Sequence, residues 1–301
     1  MYERYFGLKI KPFTLTPDPA FLYPSRQHAK AMTMLEYGLE SQAAFALLTG
    51  DIGSGKTTVV RRMLSELGDQ VVVGLISHTH GHFKSIHRWA VSALNIVPTD
   101  DSDVAQYEAL TEVFRRTHNK GRRTLLIIDE AQNLSLEVLE ELRLLSNVNT
   151  ERNLILQILL VGQPELRRKL ARPELQQFAQ RVAVDFHLRP LDRSETHAYV
   201  RHRLAVAGRT TALFMPEAIE FIHARTRGVP RLMNQLCDFA LLYAYADGRT
   251  MIDADLVAQV VRDRSTGVSL AMPTPVVAAP SALGTQKNPV SSAALPNSGP
   301  V

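Results

Sequence analysis

One eight-residue stretch constrains this chain more than any other: Gly50-Asp51-Ile52-Gly53-Ser54-Gly55-Lys56-Thr57. It matches the phosphate-binding loop pattern G-x-x-x-x-G-K-[ST] at every fixed position. The glycines let the backbone turn tightly, including at positive φ, so that successive N–H groups point toward phosphate oxygens. We therefore expect residues 50–57, with Thr58 in the following helical turn, to hold the phosphates of a nucleotide.

The segments on both sides of this loop support that interpretation. Residues 45–49 form an apolar run suited to a buried parallel strand, and residues 57–67 carry a helical pattern. A helix that starts near Gly55 adds its positive dipole end to the phosphate site. Within it, Lys56 is placed to reach the β- and γ-phosphates, and the Thr57 hydroxyl is placed to bind Mg²⁺.

A second motif completes the expected chemistry about 70 residues later. The run Thr124-Leu-Leu-Ile-Ile128 ends in Asp129 and Glu130, which is typical of a buried parallel strand whose carboxyl end meets a ligand. Asp129 is placed to hold Mg²⁺, directly or through water, and Glu130 to polarise an attacking water. Together the two motifs predict nucleoside triphosphate hydrolysis.

The remaining pattern predicts an α/β fold: a parallel sheet sandwiched by helices, followed by a small all-helical lid. Further strands are expected at residues 71–76, 154–161 and 182–188. Between Leu191 and Ser265 the chain reads as helical, with Ser194 and Asp253 as N-caps. The predicted division is an N-terminal arm at 1–24, a nucleotide-binding domain at 25–191, a helical lid at 192–264 and a disordered tail at 265–301.

Three polar residues outside the two motifs attract attention by position. Gln163 follows a strand and is expected beside Asp129, where it would contact the γ-phosphate or the water, or would merely end the strand. Arg181 stands at the start of a strand. Arg231 lies in the first turn of a helix, where the dipole disfavours a cation; a bound phosphate would offset the cost, or the side chain is simply solvated.

Composition restricts the class of protein. The chain has a single cysteine, Cys237, and a net charge of +4, and no charge-free run of 18 apolar residues, so we expect a cytoplasmic protein without a membrane span. The alternating histidines His78, His80 and His82 allow a metal site, but no carboxylate or cysteine accompanies them. Ser77 or His78 would alternatively sense the nucleotide state.

The order of these motifs resembles that of AAA+ ATPases. The N-terminal block Met1-Tyr-Glu-Arg-Tyr-Phe-Gly-Leu, with Thr16-Pro-Asp-Pro and Leu160-Val-Gly-Gln-Pro-Glu-Leu, resembles more narrowly the general secretion pathway protein A family. That family includes ATPases linked to type II secretion, pilus assembly and exopolysaccharide or exosortase systems. Its relatives include ATPase regulators of DNA transposition.

The resemblance implies roles for individual residues. The loop from Gly50 to Thr58 would bind ATP and Mg²⁺, and Gln163 would fill the first sensor position, where many AAA+ proteins carry Asn or Thr. Arg181 would act as a finger on a neighbouring subunit, and Arg231 as the second sensor. Phe6 and Phe13 would lie near the adenine, while the residues of the arm equally allow a strand-like segment packed on the core.

The resemblance also implies partners. A finger acting in trans requires a homo-oligomer, either a ring or a filament, and the family implies an envelope-assembly partner that could hold the protein at the inner membrane. A DNA-binding regulator is the alternative, with these basic residues as phosphate contacts: Lys84, Arg88, Arg115, Arg116, Lys120, Arg122 and Arg123. A nucleotide switch without hydrolysis is a third possibility.

Overall fold

The structure is a computed structural model and describes residues 1–16, 18–41, 43–77, 85–149 and 153–265. The strands are β1 Phe45–Gly50, β2 Val71–Ile76, β3 Arg123–Ile128, β4 Leu156–Gly162 and β5 Val182–Leu188. The helices are α1 Arg26–Glu40, α2 Lys56–Glu66, α3 Ile86–Ala93, α4 Asp103–Asn119, α5 Leu136–Leu145, α6 Pro164–Leu170, α7 Gln176–Ala179, α8 Arg193–Val206, α9 Pro216–Thr226, α10 Pro230–Ala246 and α11 Ala254–Ser265.

The five strands form one sheet in the order β2-β3-β4-β1-β5. Every neighbouring pair is parallel, as the continuous apolar runs predict for strands that are buried on both faces. The predicted α/β fold with a parallel sheet is therefore confirmed. All five carboxyl ends lie at one edge, which we call the carboxyl edge, and the opposite edge is the amino edge.

Alternate side chains of each strand enter different cores. Leu125 and Ile127 of β3 pack with α1 and α2 on one face of the sheet. Leu126 and Ile128 pack with α3 to α7 on the other face. Because helices cover both faces, the loops at the two edges are the parts of this domain left to bind a ligand.

Helices α8 to α11 form a third core, and we call this helical unit the lid. The core contains five apolar side chains from the beginning of the chain: Tyr2, Phe6, Leu8, Phe13 and Phe21. Backbone hydrogen bonds strengthen this attachment, since Lys9 N–H donates to the Ala207 carbonyl at 2.8 Å. The N-terminal arm therefore packs as part of the lid core.

Two short segments connect the sheet domain to the lid: residues 23–26 and residues 188–193. In the second segment, the Leu191 N–H donates to the Gly228 carbonyl at 3.0 Å. A Cβ on Gly228, where φ is +73°, would lie 1.9 Å from the Leu191 carbonyl oxygen. Only glycine permits this close approach of α9's end to the connecting segment.

The start of α8 differs from the sequence prediction. Asp192, rather than Ser194, is the N-cap, because its carboxylate accepts from the Glu195 N–H at 2.8 Å. The Glu195 carboxylate in turn accepts from the Asp192 N–H at 3.1 Å, completing a capping box. The prediction of Ser194 overlooked the acidic pair three residues apart.

Candidate nucleotide site

The loop after β1 has the geometry that its glycines predict. Gly53 and Gly55 have φ values of +79° and +102°. The Lys56 ammonium lies in the turn and donates to the carbonyls of Gly50 at 2.8 Å and Asp51 at 2.9 Å. Burial lowers the pKa of Lys56, and the nearby carboxylates of Glu130, Asp129 and Asp51 oppose that shift. A cation is thus held at the centre of the loop.

The loop also contains a buried hydroxyl that does not line the cleft. The Ser54 hydroxyl is buried and has no hydrogen-bond partner within the described part of the chain. Burying an unpaired hydroxyl is unfavourable. Thr57 is exposed at the start of α2 and lines the cleft, so its hydroxyl and the positive end of that helix fit a phosphate with a bound cation.

A histidine that the sequence analysis did not identify packs against this loop. His28 lies in the first turn of α1, and its Nδ1 is 2.6 Å from the Ser25 hydroxyl. A Cβ on Gly55 would lie 2.6 Å from the His28 Nε2, so glycine is needed there for a second reason. Burial lowers the pKa of His28 to about 4, which keeps the ring neutral at physiological pH.

The two carboxylates after β3 lie at the same edge as the loop. Asp129 accepts through Oδ1 from the Glu130 N–H at 2.9 Å. Glu130 has a φ of +52°, and this turn directs the chain away from the strand. Its Oε2 accepts from the side-chain amides of Gln132 at 2.5 Å and Gln163 at 3.4 Å. The structure therefore brings Glu130 and Gln163 together.

Gln132 is a further residue that sequence reasoning missed. Its Oε1 accepts from the Gln163 N–H at 3.0 Å, so one side chain joins the ends of β3 and β4. The ammonium of Lys169 donates to the Gln132 and Leu134 carbonyls at 2.6 and 2.5 Å. The only signal in the sequence is the proximity of Gln132 to the carboxylate pair.

The lid contributes Arg231 to the same place. The Arg231 N–H donates to the Gly53 carbonyl at 3.3 Å, and a Cβ on Gly53 would lie 2.4 Å from the Arg231 Cβ. The first turn of α10 thus rests directly on the loop. Its exposed guanidinium lies where a phosphate would offset its repulsion by the helix dipole.

A cleft of about 400 Å³ opens between the loop, the arm and the lid. The arm lines it with Thr14, Leu15, Thr16, Asp18, Phe21, Leu22 and Tyr23, and the lid lines it with Tyr199, Arg203, Pro230, Arg231 and Asn234. Phe6 and Phe13 are not among the lining residues, contrary to their expected place near the adenine. Both are 1% exposed inside the lid core, because burial of these rings in an apolar core is the more favourable arrangement.

Arg181 lies away from this cleft. It immediately precedes β5 and therefore lies at the amino edge, a strand length from the phosphate loop. Its Nη1 donates to the Arg143 carbonyl, the Ser146 hydroxyl and the Asn147 side-chain oxygen at 3.2, 2.7 and 2.8 Å. Within one chain it cannot reach the loop, so a catalytic role requires a neighbouring molecule.

Several other predictions fall outside the described residues. These are the metal and sensor roles of His78, the further histidines His80 and His82, the contact by Lys84 and the tail from residue 266 onward. Among the residues that the structure describes, no group of three His, Cys, Asp or Glu side chains could hold a metal ion. In that same part of the chain, no helix combines the length and apolar character required to span a bilayer.

Comparison with known proteins agrees with this geometry. The sequence profile of the family described as AAA domain matches residues 39–170. General secretion pathway protein A of Aeromonas hydrophila is 37% identical over 273 residues, which are 88% of this chain and 50% of that protein. The chain therefore spans about half the length of the curated relative that it matches.

Solved structures with a similar fold include an ORC2 protein and a Cdc6p. The ORC2 protein of Aeropyrum pernix, solved in ADPNP and ADP complexes, has a TM-score of 0.62 and 19% identity over 84% of this chain and 71% of its own. Cdc6p of Pyrobaculum aerophilum has a TM-score of 0.61 and 17% identity over 84% and 73%. At such identities the likeness concerns the fold. With its phosphate loop, its carboxylate pair and a lid that contacts the loop, the chain is similar to AAA domains over residues 39–170 and to general secretion pathway protein A over 88% of its own length.

Proposed function

We propose that this protein binds and hydrolyses ATP in the cleft between the phosphate loop, the arm and the lid. The observation that carries the proposal is the buried Lys56 ammonium inside a positive-φ glycine loop, at the same sheet edge as Asp129 and Glu130. A lysine that now donates to two loop carbonyls can turn to phosphate oxygens without leaving the loop. Catalysis would rest on positioning and charge stabilisation.

Each residue would have a separate task. Thr57 and Asp129 would hold Mg²⁺, which neutralises charge on the transferred phosphoryl group. Glu130, fixed by the amides of Gln132 and Gln163, would orient and polarise the attacking water. Arg231 would connect the phosphate site to the lid. Arg181 would contribute from a neighbouring subunit, which makes the active form a homo-oligomer, either a ring or a filament.

We propose that the energy of ATP hydrolysis drives the assembly of a cell-envelope system. The support is the 37% identity to general secretion pathway protein A of Aeromonas hydrophila. A protein partner in secretion, pilus or exopolysaccharide assembly would then receive the conformational change, at the cytoplasmic side of the inner membrane.

Three of the basic residues considered for DNA binding have partners within the chain. Arg116 pairs with Glu112 at 2.6 Å, Arg122 donates to the Asp69 carbonyl at 2.7 Å, and Arg123 donates to the Leu39 carbonyl. These contacts give the guanidinium groups a structural task. These three contacts do not decide for or against DNA as a partner, and DNA enters the test as an outcome.

The experiment is ATP turnover against protein concentration, with and without double-stranded DNA, beside the Lys56→Ala variant. We expect turnover that rises more steeply than protein concentration, is unaffected by DNA and is lost in Lys56→Ala. Stimulation by DNA that weakens steeply with salt would replace the envelope role with a nucleic-acid role. Failure of the wild type to bind fluorescent ATP would overturn the proposal as a whole.

A further inference from the structure

The connection between the sheet domain and the lid contains a carboxylate that no catalytic role explains. Glu195 lies in the first turn of α8 and is 9% exposed. Its Oε2 accepts from the Asp192 N–H at 3.1 Å, as part of the capping box of its own helix. Its Oε1 accepts from the Arg26 N–H, also at 3.1 Å. Arg26 is the first residue of α1, in the other domain.

One side chain therefore binds both segments that cross between the domains. Residues 23–26 carry the chain from the arm into the sheet domain, and residues 188–193 carry it back into the lid. Glu195 accepts one backbone hydrogen bond from each. It also lies at the N-termini of α1 and α8 together, where two positive dipole ends favour a carboxylate. Hydrogen bonds to an ionised acceptor are stronger than neutral ones.

The two helices joined by Glu195 lead directly to the cleft. In α1, His28 contacts Gly55 of the phosphate loop two residues after Arg26. In α8, Tyr199 and Arg203 follow Glu195 at intervals of four, so the three side chains share one face of the helix. Arg203 donates to the Pro12 carbonyl at 2.6 Å, and Tyr199 donates to Asn234 at 2.7 Å. Both side chains line the cleft.

We propose that Glu195 is a positioning residue that fixes the angle between the lid and the sheet domain, and thereby holds Arg231 against the phosphate loop before nucleotide binds. The inference deepens the proposed function, because the site it prepares is the proposed ATP site. When only a fraction of the molecules has the lid at the angle that binds nucleotide, the apparent affinity falls by that fraction. A lid fixed at this angle avoids that loss.

Glu195→Gln tests the proposal with little change of shape. The glutamine side chain has only one oxygen acceptor, and its NH₂ group faces the second backbone N–H. The hydrogen bond to either Arg26 or Asp192 is therefore lost. Glu195→Asp keeps the charge but is one methylene too short to bridge both N–H groups, and it should behave similarly. Asp253→Asn is the matched control, because Asp253 accepts from the Leu256 N–H at 2.8 Å within the lid alone.

The first measurement is the distance between spin labels at Arg115→Cys in the sheet domain and Glu217→Cys in the lid, without nucleotide. The native Cys237 is buried and will not react. We expect a narrow distance distribution in the wild type and in Asp253→Asn, and a broad one in both Glu195 variants. The second measurement, the affinity for a fluorescent ATP analogue, should fall about tenfold in the Glu195 variants only.

The outcomes separate this proposal from the proposed function. An unchanged distribution in Glu195→Gln, or equal broadening in Asp253→Asn, would overturn the positioning role whatever the affinity shows. If the wild type binds no nucleotide, the ATP proposal fails, and the distance distributions still decide whether Glu195 fixes the lid. Broadening in Glu195→Gln without loss of affinity would overturn the link between lid angle and binding.

Discussion

The amino and carboxyl edges of the sheet belong to the same five strands, but the polar side chains at the two edges differ in what they bind. At the amino edge, buried Gln157 donates to the carbonyls of Gly38, Leu39 and Ala43, each at 3.2 Å, and Arg181 occupies three acceptors. At the carboxyl edge, Thr57 is exposed at the start of α2, and Lys56 bonds to the Gly50 and Asp51 carbonyls, which it can exchange for phosphate oxygens. One edge is closed by its own side chains, and the other keeps donors for a ligand.

The contrast between the two edges shows where function and stability reside in one sheet. Polar groups that are satisfied internally hold the loops in place, whereas donors left available carry the chemistry. Substitutions at the two edges should therefore have opposite consequences for turnover and for folding. Four substitutions test that separation, and they are ordered from the largest expected effect on turnover to the smallest.

Arg181→Ala should be the exception to this separation, because Arg181 lies at the amino edge and we propose that it acts in catalysis on a neighbouring subunit. We expect turnover to fall about a thousandfold, the scale of a lost arginine finger. Mixing it with the inactive Lys56→Ala variant should restore part of the activity, since some interfaces then combine an intact loop with an intact arginine. Asn147→Ala removes a contact of Arg181 and should keep most turnover. No recovery on mixing would exclude action in trans.

Glu130→Gln should slow ATP hydrolysis strongly but preserve ATP binding. An amide cannot accept the proton of the attacking water, and loss of a general base costs on the order of a hundredfold. Affinity for a fluorescent ATP analogue should stay within about twofold. The control is Glu165→Gln, an exposed glutamate that pairs with Arg168 in α6. Turnover in Glu130→Gln equal to that of the wild type would assign the base to another residue.

Gly53→Ala should weaken nucleotide binding about tenfold. The added methyl group meets the Arg231 Cβ at 2.4 Å, and φ is +79°, so both loop and lid must shift. Gly68→Ala is the matched control, because nothing lies within 4 Å of its added Cβ and its φ is not positive. Titration with the same analogue checks both variants, and equal affinities would mean that the loop and lid adapt without cost.

Gln157→Leu should leave turnover unchanged per folded molecule while lowering stability. Leucine leaves buried carbonyls without their donor, at a cost of about 2 kcal/mol in the free energy of unfolding. Urea denaturation measures the loss, and ATP turnover well below the unfolding midpoint measures function. A fall in turnover comparable to that of Gly53→Ala would show that the two edges are coupled and would end the separation argued above.

Local patterns predicted the parallel sheet and the residues at its carboxyl edge. The phosphate loop and the Asp129–Glu130 pair each lie within a few consecutive residues, next to a strand whose apolar run is unmistakable. Since parallel strands share an edge, Gln163 was also expected there. Its contact with Glu130 follows from that topology.

Residues whose partners are far away in sequence could not be found in this way. His28 packs against Gly55, and Glu195 accepts a hydrogen bond from Arg26, 169 positions away in the sequence. No periodicity or motif predicts either contact. Phe6 and Phe13 were misplaced because an arm rich in prolines and aromatics has no period that shows where its rings are buried. Their position depends on the lid core, which is assembled from the other end of the described chain.

The arm within the lid has a consequence for how the protein is made. Tyr2 bonds to Asp238, 236 positions later, and the rings of Phe6 and Phe13 lie in a core completed by α8 to α11. At ribosomal speeds of about 5–20 residues per second, the arm must wait roughly 10–40 s between its own synthesis and that of its lid partners. During this interval its aromatic side chains stay accessible to chaperones, and the sheet domain has time to fold before the lid closes over it.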